Sequence, residues 1–304
     1  MSQPTVATWR DYYGVTKPKV VLLLVFTSLV GMALSMPTLP PLDVIIFGNL
    51  GIALAAASAA AYNHVLDRRI DAQMHRTEGR PLPTGALTTE QCIAFATALG
   101  VIAMLILALF INALTALLTF ASLIGYAVIY TAYLKRATPQ NIVIGGAAGA
   151  MPPVLGWAAV HGEVGAEAWA LFLIIFIWTP PHFWALAIHR RDDYARVGMP
   201  MLPVTHGIAH TKLQIVLYTI LLILVTLLPF LLAMNSLVYA IFALGLGMWF
   251  LKMTLDMMPE DSDPKLPMKT FVFSINYLMV LFAVMLIDHY LFANGSYGIW
   301  LGLS

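Results

Sequence analysis

Three oxygen-bearing side chains, Asn63, Asp67 and Asp71, are spaced four residues apart at the end of a long apolar segment. A step of four residues turns an α-helix by about 40° and rises about 6 Å, so the spacing places all three on one helical face, here called the acidic stripe. Two carboxylates about 6 Å apart repel each other by roughly 3 kcal/mol at an effective dielectric constant near ~20. A positive group must therefore lie between them.

The compensating charge has two candidate sources. One is a neighbouring guanidinium from Arg68, Arg69 or Arg76, which would make the acidic stripe a structural charge cluster at a helix end. The other is Mg²⁺, which prefers oxygen ligands and binds through one or two carboxylates together with water and substrate phosphate oxygens. On the second interpretation the whole acidic stripe is a metal site.

The composition places the stripe in a membrane protein. Of 304 residues, 60% are hydrophobic and only 10% are charged, with a mean hydropathy of +0.84. This balance is typical of polytopic membrane proteins and gives no support to a role in binding nucleic acid. Apolar runs long enough to cross a bilayer predict a single all-α domain over 1–304, with nine spans at about 19–36, 44–66, 91–110, 113–131, 141–160, 167–188, 212–233, 236–256 and 270–292.

The orientation follows from the positive charges. All 16 Lys and Arg residues fall in the N-terminal segment or in alternate connections, the second-to-third, fourth-to-fifth, sixth-to-seventh and eighth-to-ninth. Cytoplasmic loops carry the excess of Lys and Arg in membrane proteins. We therefore expect a cytoplasmic N-terminus, an external C-terminus and a bacterial plasma-membrane location, with the acidic stripe on the cytoplasmic side.

Two of the predicted cytoplasmic connections contain similar sequence motifs. The first, about 67–90, contains GRPLPTG, and the second, about 189–211, contains GMPMLPVTHG. Both follow acidic residues and an arginine, which suggests a four-plus-four helix repeat with the ninth helix appended. We expect the two loops to cap one central cavity.

The fourth-to-fifth connection adds aromatic and cationic groups at the same level. Tyr130, Tyr133, Lys135 and Arg136 lie there. Two adjacent cations at a helix end are either ordinary topology determinants and lipid headgroup contacts or ligands for a diphosphate leaving group. Both interpretations stay open on sequence alone.

The fifth and sixth spans each contain a proline pair, which removes backbone donors and is tolerated where a helix lines a cavity. In the sixth span, Pro180 and Pro181 are followed by His182, which either faces that cavity or bonds a freed carbonyl. The span ends in HRRDDYARVG, where Asp193 is favoured over its neighbour Asp192 to face the site.

Together these motifs resemble one family. NxxxDxxxD in the acidic stripe, YxxYLKRxTPxN from Tyr130, PPHFWALA from Pro180, DYARVGMPMLP from Asp193 and FVFSINYL from Phe271 are similar to the protohaem farnesyltransferase (haem O synthase) branch of the UbiA-type intramembrane prenyltransferase superfamily. The resemblance covers nearly the whole chain. Its first motif is common to the superfamily, whereas the PPHF and PMLP segments point to the haem branch.

The resemblance implies a nine-helix bundle with a central cavity open to lipid, in which a farnesyl group passes from farnesyl diphosphate to a vinyl group of haem b. It implies haem A synthase or terminal-oxidase assembly as partners. Mg²⁺ would be held by the acidic stripe, and the leaving group would be neutralised by four cations, Arg76, Arg80, Lys135 and Arg136.

The resemblance further implies that Tyr133, Trp178 and Phe183 face an allylic carbocation with their π surfaces. The chain departs from the superfamily in one respect. Many relatives carry a second DxxxD motif after the sixth span, where this chain has Arg190 and Tyr194 at the corresponding ends. A second fully acidic Mg²⁺ site is therefore in doubt, and Arg190 is a candidate for a haem propionate.

Three alternatives remain at this point. A prenyltransferase acting on a quinone precursor or on chlorophyllide would share the loop chemistry. An ion-coupled transporter also uses broken helices and buried polar groups, although it needs ionisable residues near the bilayer midplane, and here they gather at helix ends. A haem-handling assembly factor without catalysis would use the histidines as ligands.

Overall fold

The computed structural model describes residues 7–292, and all regular structure in that range is helical. In chain order the helices are α1 (Trp9–Val15), α2 (Pro18–Leu34), α3 (Leu42–Asp71), α4 (Thr89–Phe110), α5 (Ala113–Ile124), a π-helical segment (Gly125–Leu134), α6 (Lys135–Ala137), α7 (Asn141–Ala150), α8 (Pro152–His161), α9 (Ala166–His189), α10 (Arg191–Arg196), α11 (Leu202–Thr205), α12 (Gly207–Val225), α13 (Leu228–Leu231), α14 (Leu237–Asp256) and α15 (Leu266–Leu291).

Eight helical stretches within residues 7–292 are long and apolar enough to cross a bilayer. A ninth is added if α1 and α2, which are bent by 52° at their junction, form one span. The predicted all-helical membrane class is confirmed, and the number of spans is eight or nine. The orientation of the two ends and the internal repeat stay predictions.

α9 lies at the centre of the packing. It is the most deeply buried of the spans and contacts α7, α8, α12 and α15. α15 in turn reaches α2, so the last described span is a neighbour of the first. This arrangement surrounds α9 with helices from both halves of the chain and leaves the lipid-facing surface to apolar side chains on the outer spans.

The two proline pairs have different effects. α7 ends at Ala150 and α8 begins at Pro152, so the fifth predicted span is interrupted where proline removes a backbone donor. α9 contains Pro180 and Pro181 but is helical throughout Ala166–His189. The proline pair in the sixth predicted span therefore does not interrupt the helix.

α2 and α8 cross at very short range because each contributes a glycine. A Cβ atom at Gly31 would lie 2.1 Å from the carbonyl oxygen of Pro153, and one at Gly156 would lie 2.1 Å from that of Ser28. Both distances are far shorter than van der Waals contact. Small residues at such crossings allow membrane helices to pack backbone against backbone.

Asp288 has a structural role at the end of the bundle remote from the acidic stripe. Its carboxylate accepts hydrogen bonds from the backbone N–H groups of Ser236 (2.6 Å) and Tyr239 (3.2 Å) and from the side chain of Asn235 (3.1 Å). These N–H groups lie at the start of α14, where a helix has unpaired donors. A carboxylate from α15 thus caps α14.

We expect Gly156→Ala to lower the stability of the protein by about 1–3 kcal/mol, because the added methyl group forces two helices apart. Thermal unfolding of the detergent-purified protein measures the effect. Gly245→Ala in α14 is the matched control, since a Cβ atom there would meet no atom within 4 Å. Equal melting temperatures for the two variants would contradict the close crossing.

Candidate active site

The acidic stripe lies on one face of the last turns of α3 and is buried. The relative exposures of Asn63, Asp67 and Asp71 are 3%, 1% and 4%. Charged carboxylates with so little access to water need compensation from the protein or from a bound cation. The surroundings of each carboxylate therefore determine what the site can bind.

Asp67 is held mainly by Lys135, whose Nζ lies 2.6 Å from Oδ2. Asn63 donates to the same oxygen at 2.8 Å, and the Arg136 guanidinium lies 4.0 Å from Oδ1. Oδ1 itself is buried and accepts no hydrogen bond from any described residue. One oxygen of this buried carboxylate is therefore without a hydrogen-bond partner among the described residues.

Asp71 is paired with Arg80 from the loop that follows α3, at 2.7 Å between Nη1 and Oδ2. The hydroxyl group of Thr77 donates to the backbone carbonyl of Asp71 at 2.9 Å and ties the same loop to the helix end. Within residues 7–292, Oδ1 of Asp71 also accepts no hydrogen bond. The compensating guanidinium is therefore supplied by Arg80, not by Arg68, Arg69 or Arg76.

Lys17 completes the cluster, and the sequence patterns did not identify it. Its ammonium donates to Oδ1 of Asn63 at 2.5 Å. The residue adopts the left-handed conformation (φ 52°) between α1 and α2, directly before Pro18. Proline disfavours the right-handed helical conformation in the preceding residue, so the local sequence contributes to this turn. In the sequence, Lys17 counted only as a marker of the cytoplasmic side.

The amide of Asn63 links three parts of the chain. Its oxygen accepts from Lys17, while its nitrogen donates to Asp67 and, at 3.2 Å, to the hydroxyl group of Thr131. Thr131 is fully buried and donates in turn to the carbonyl of Tyr126. The amide therefore orders the acidic stripe against α2 on one side and the π-helical segment on the other.

The π-helical segment contains Thr131 and ends directly before Lys135. Its hydrogen bonds join residues five apart, as in the bond from the Lys135 amide to the carbonyl of Tyr130. Such segments are rare and concentrate at functional sites because they change which side chains share a face. In this segment Thr131 contacts Asn63, and Lys135, which follows it, contacts Asp67.

The connection that follows α3 and the one that follows α9 both lie near the acidic stripe. Ile70 of α3 packs against a buried cluster to which the second of these connections contributes Met199, Met201 and Leu202. Burial raises the pKa of Tyr194 in that connection, and the positive charges of Arg76 and Arg190 oppose the increase. The tyrosine therefore lies within the electrostatic range of both loops, and the capping of a central cavity by these loops stays a prediction.

The cationic and acidic residues of the second connection pair with each other. Asp193 lies 3.8 Å from Arg190 and 3.6 Å from Arg196, while Asp192 is exposed. Arg76 is exposed in the first connection. These residues line the loop surface above the buried cluster and make no ion pair with the acidic stripe.

The aromatic residues divide between interior and surface. Trp178 and His182 are buried in α9, and Tyr130 stacks on Tyr126 at 5.6 Å between ring centroids. Tyr133 is 70% exposed. Phe183 is 44% exposed, although the edge of its ring meets His182 at 4.8 Å. The structure thus brings Trp178 and Tyr130 inside the bundle and leaves Tyr133 on its surface.

The cluster has the chemistry of a site for a divalent cation and a polyphosphate. Each carboxylate keeps one oxygen free of hydrogen bonds, and carboxylate oxygens suit Mg²⁺. Three or more His, Cys, Asp or Glu residues do not gather into a metal site anywhere in residues 7–292. Substrate oxygens and water would therefore complete the coordination, and the adjacent cations Arg80, Lys135 and Arg136 would face an anionic substrate.

Comparison with known proteins gives the family. The family model described as the UbiA prenyltransferase family matches residues 24–278. The chain is 59% identical over 286 residues to the protoheme IX farnesyltransferase of Nitrosococcus oceani, covering 94% of this chain and 95% of that protein. It is 57% identical to the protein of the same name from Teredinibacter turnerae, covering 97% and 94% respectively.

Solved structures share the fold at low sequence identity. A structure of digeranylgeranylglyceryl phosphate synthase has a TM-score of 0.78 at 16% identity and covers 92% of this chain and 98% of that one. A UbiA homologue from Archaeoglobus fulgidus bound to GPP and Mg²⁺ has a TM-score of 0.64 at 17% identity, covering 90% and 99%. The helical architecture is therefore that of intramembrane prenyltransferases.

We expect Lys135→Met to lower stability by roughly 3 kcal/mol in the presence of a chelator, because it leaves the buried Asp67 carboxylate poorly compensated. Added Mg²⁺ should raise the melting temperature of this variant more than that of the wild-type protein, since a cation replaces the lost charge.

Lys252→Met is the control for that measurement. Its ammonium forms a comparable ion pair with Asp256 at 2.8 Å, but both side chains are largely exposed. Exposed pairs contribute about 1 kcal/mol or less, so this variant should melt close to the wild-type temperature with or without Mg²⁺. Indifference of Lys135→Met to Mg²⁺ would contradict a metal site at Asp67.

Proposed function

The chain belongs to the UbiA prenyltransferase family, and on that premise we propose that it transfers a farnesyl group from farnesyl diphosphate to a vinyl group of haem b. The products are haem O and diphosphate. The observation that carries the proposal is the buried pair of carboxylates, each with one free oxygen and each within hydrogen-bonding distance of a cation. Relatives at 53–59% identity that are named protoheme IX farnesyltransferase support the choice of substrate.

Mg²⁺ fits the acidic stripe, with Asp67 and Asp71 as carboxylate ligands and Asn63 as the residue that orients Asp67. A bound Mg²⁺ would withdraw electron density from the diphosphate and stabilise the charge that develops on it. Because the stripe supplies two carboxylates, substrate oxygens and water would provide the remaining ligands of a bound Mg²⁺. The Archaeoglobus fulgidus homologue was solved with Mg²⁺ and a prenyl diphosphate, which is consistent with this assignment.

The cations around the stripe would also bind the diphosphate leaving group, in addition to compensating the carboxylates. Lys135 and Arg80 neutralise the carboxylates in the structure as described. Both side chains would be free to bind diphosphate oxygens where a bound metal ion compensates the carboxylates, and Arg136 and Arg76 lie on the same side of the bundle. Negative charge grows on the leaving group as its bond to carbon breaks, so these contacts strengthen in the transition state.

The farnesyl carbon that loses diphosphate becomes an allylic cation. Aromatic faces stabilise such a cation, and Trp178 is the buried candidate among the three aromatic residues expected to do so. The vinyl group of haem b attacks the cation through its electron-rich terminal carbon. Water then adds to the new cation beside the porphyrin ring and loses a proton, which gives the hydroxyethylfarnesyl group.

The site would open to the cytoplasm, at the level of the two connections that meet beside α3. The chain would lie in the bacterial plasma membrane with its C-terminus outside, act as a single domain with a central cavity, and hand its product to haem A synthase or terminal-oxidase assembly. Arg190, which is only half-buried at the rim, would meet a haem propionate. Each of these assignments follows from the family and from the one-sided distribution of positive charge.

Incubation of the purified protein with farnesyl diphosphate, Mg²⁺ and haem b tests the function directly. Mass spectrometry should detect haem O, and an assay for inorganic diphosphate should show equal release. A parallel incubation with 4-hydroxybenzoate, a quinone precursor, should give no prenylated product. Prenylation of the phenol with no change in haem b would transfer the assignment to a different branch of the family.

We expect Asp67→Asn and Asp71→Asn each to reduce turnover by about a hundredfold or more, since each removes a metal ligand and charge stabilisation in the transition state. Both proteins should remain in the membrane fraction. Asp256→Asn, which alters an exposed ion pair, is the control and should keep wild-type turnover. Mg²⁺-dependent diphosphate release at the wild-type rate by either site variant would refute the metal assignment.

A further inference from the structure

The ring of His182 is held rigidly in the interior of α9. It is stacked between Trp178, at 4.2 Å between centroids, and Phe271 of α15, at 4.4 Å, with interplanar angles of 18° and 26°. Its relative exposure is 6%. Rings on both faces fix the plane of the imidazole and leave only its edges open to other groups.

Ser274 determines the tautomer of this imidazole. The hydroxyl group of Ser274 donates its single hydrogen to the carbonyl of Phe271 at 2.7 Å, so it must accept at its contact with Nδ1 of His182 at 2.6 Å. Nδ1 therefore carries the hydrogen. In the neutral imidazole the lone pair is then on Nε2. The indole N–H of Trp178 donates to the backbone carbonyl of Ser274 at 2.8 Å, which fixes Trp178 relative to Ser274 and His182.

The ring of His182 interacts with the Ser274 hydroxyl through Nδ1 and lies close to the Phe271 carbonyl, which also accepts from Ser274. Nε2 makes no hydrogen bond within residues 7–292, and it is not among the unpaired side-chain nitrogens that are completely enclosed. A basic lone pair that is oriented, partly accessible and unpaired in a membrane interior loses interaction energy unless a ligand occupies it. The orientation through a hydrogen bond at the other ring nitrogen is the arrangement that metal-binding histidines use.

His289 shows how the same chain treats a structural histidine. Its Nδ1 lies 3.2 Å from the carbonyl oxygen of Met234 and its Nε2 lies 3.0 Å from that of Met36. Both ring nitrogens of His289 therefore face backbone carbonyl oxygens of two different connections, and the nitrogen that carries the hydrogen donates to one of them. His182 differs because Nδ1 has a close hydrogen-bond partner and Nε2 has none.

We propose that Nε2 of His182 is the axial ligand of the haem b iron, and that Ser274 is the positioning residue that holds it in the required tautomer. The inference rests on the proposed function, since haem b is the acceptor substrate there. Imidazole nitrogen is a common ligand for haem iron. A bond at the iron fixes the porphyrin in depth and tilt, so the vinyl group that reacts is presented to the farnesyl cation in one pose.

Comparison of haem b with metal-free protoporphyrin IX tests the proposal. The two probes share the ring and the propionates and differ in the iron. The wild-type protein should bind haem b at least tenfold more tightly than protoporphyrin IX in a fluorescence or absorbance titration. In His182→Ala the two affinities should become equal, because the contact that distinguishes the two probes is lost, while the lost packing against Trp178 and Phe271 affects both probes alike.

Two further variants separate ligation from folding. Ser274→Ala should weaken haem b binding by about tenfold and leave protoporphyrin IX binding unchanged, whereas Ser274→Thr should keep wild-type values. His161→Ala is the matched control, because His161 also contacts a tryptophan four residues earlier, but its Nε2 is already bonded to the Ser35 carbonyl. Exogenous imidazole should restore the wild-type Soret spectrum of His182→Gly.

The proposal is overturned if His182→Ala retains both the wild-type Soret spectrum and the preference for haem b over protoporphyrin IX. Failure of the proposed function looks different. In that case the wild-type protein would show the His182-dependent spectrum and form no haem O from farnesyl diphosphate. If the wild-type protein forms haem O but its Soret spectrum is the same as that of His182→Ala, the proposed function stands and His182 is not the axial ligand.

Discussion

The burial of two carboxylates on one face of α3 is the constraint on which this end of the helix bundle depends. Asp67 and Asp71 have almost no access to water, and their mutual repulsion adds to the cost of removing them from it. The fold meets this cost with cations from separate segments. Lys135 comes from the end of the π-helical segment and Arg80 from the loop after α3, so neither the π-helical segment nor that loop can move without exposing an uncompensated charge.

The same ion pairs determine which carboxylate oxygens lack a partner. In an exposed salt bridge water surrounds every oxygen, and in a fully satisfied buried network every oxygen already has a hydrogen bond. Here Asn63 and Lys135 occupy one oxygen of Asp67 and leave the other without a hydrogen bond from any part of the chain that the structure describes. Each carboxylate is thus paired with a cation, whereas one oxygen of each has no hydrogen bond from the described residues. That combination favours exchange with a metal and an anionic substrate.

The buried histidines illustrate how hydrogen bonding distinguishes structural from binding groups. Both ring nitrogens of His289 face backbone carbonyl oxygens, whereas His182 has a close partner at Nδ1 and none at Nε2. His64, beside Asn63, has both nitrogens enclosed and without a partner among residues 7–292. Burial by itself does not separate these roles, since all three side chains are less than 9% exposed. The separation comes from counting donors and acceptors.

The sequence alone determined the properties that depend on local pattern. Apolar length gave the helical membrane class, and the spacing of four residues placed the acidic stripe on one face, because helical periodicity is set within a few residues. The spacing also identified Asp67 and Asp71 as the pair that needs compensation. The family resemblance, carried by motifs along nearly the whole chain, was confirmed by the comparisons.

Only the tertiary structure decided which groups meet. The sequence offered Arg68, Arg69 and Arg76 as the nearest cations, yet the partners are Arg80 and Lys135, the latter 68 residues away from Asp67. Lys17 reaches the stripe across 46 residues. The π-helical segment and the unbroken course of α9 through its prolines were likewise decided by packing. Contacts between distant segments depend on how helices cross and rotate, and no short sequence pattern encodes that arrangement.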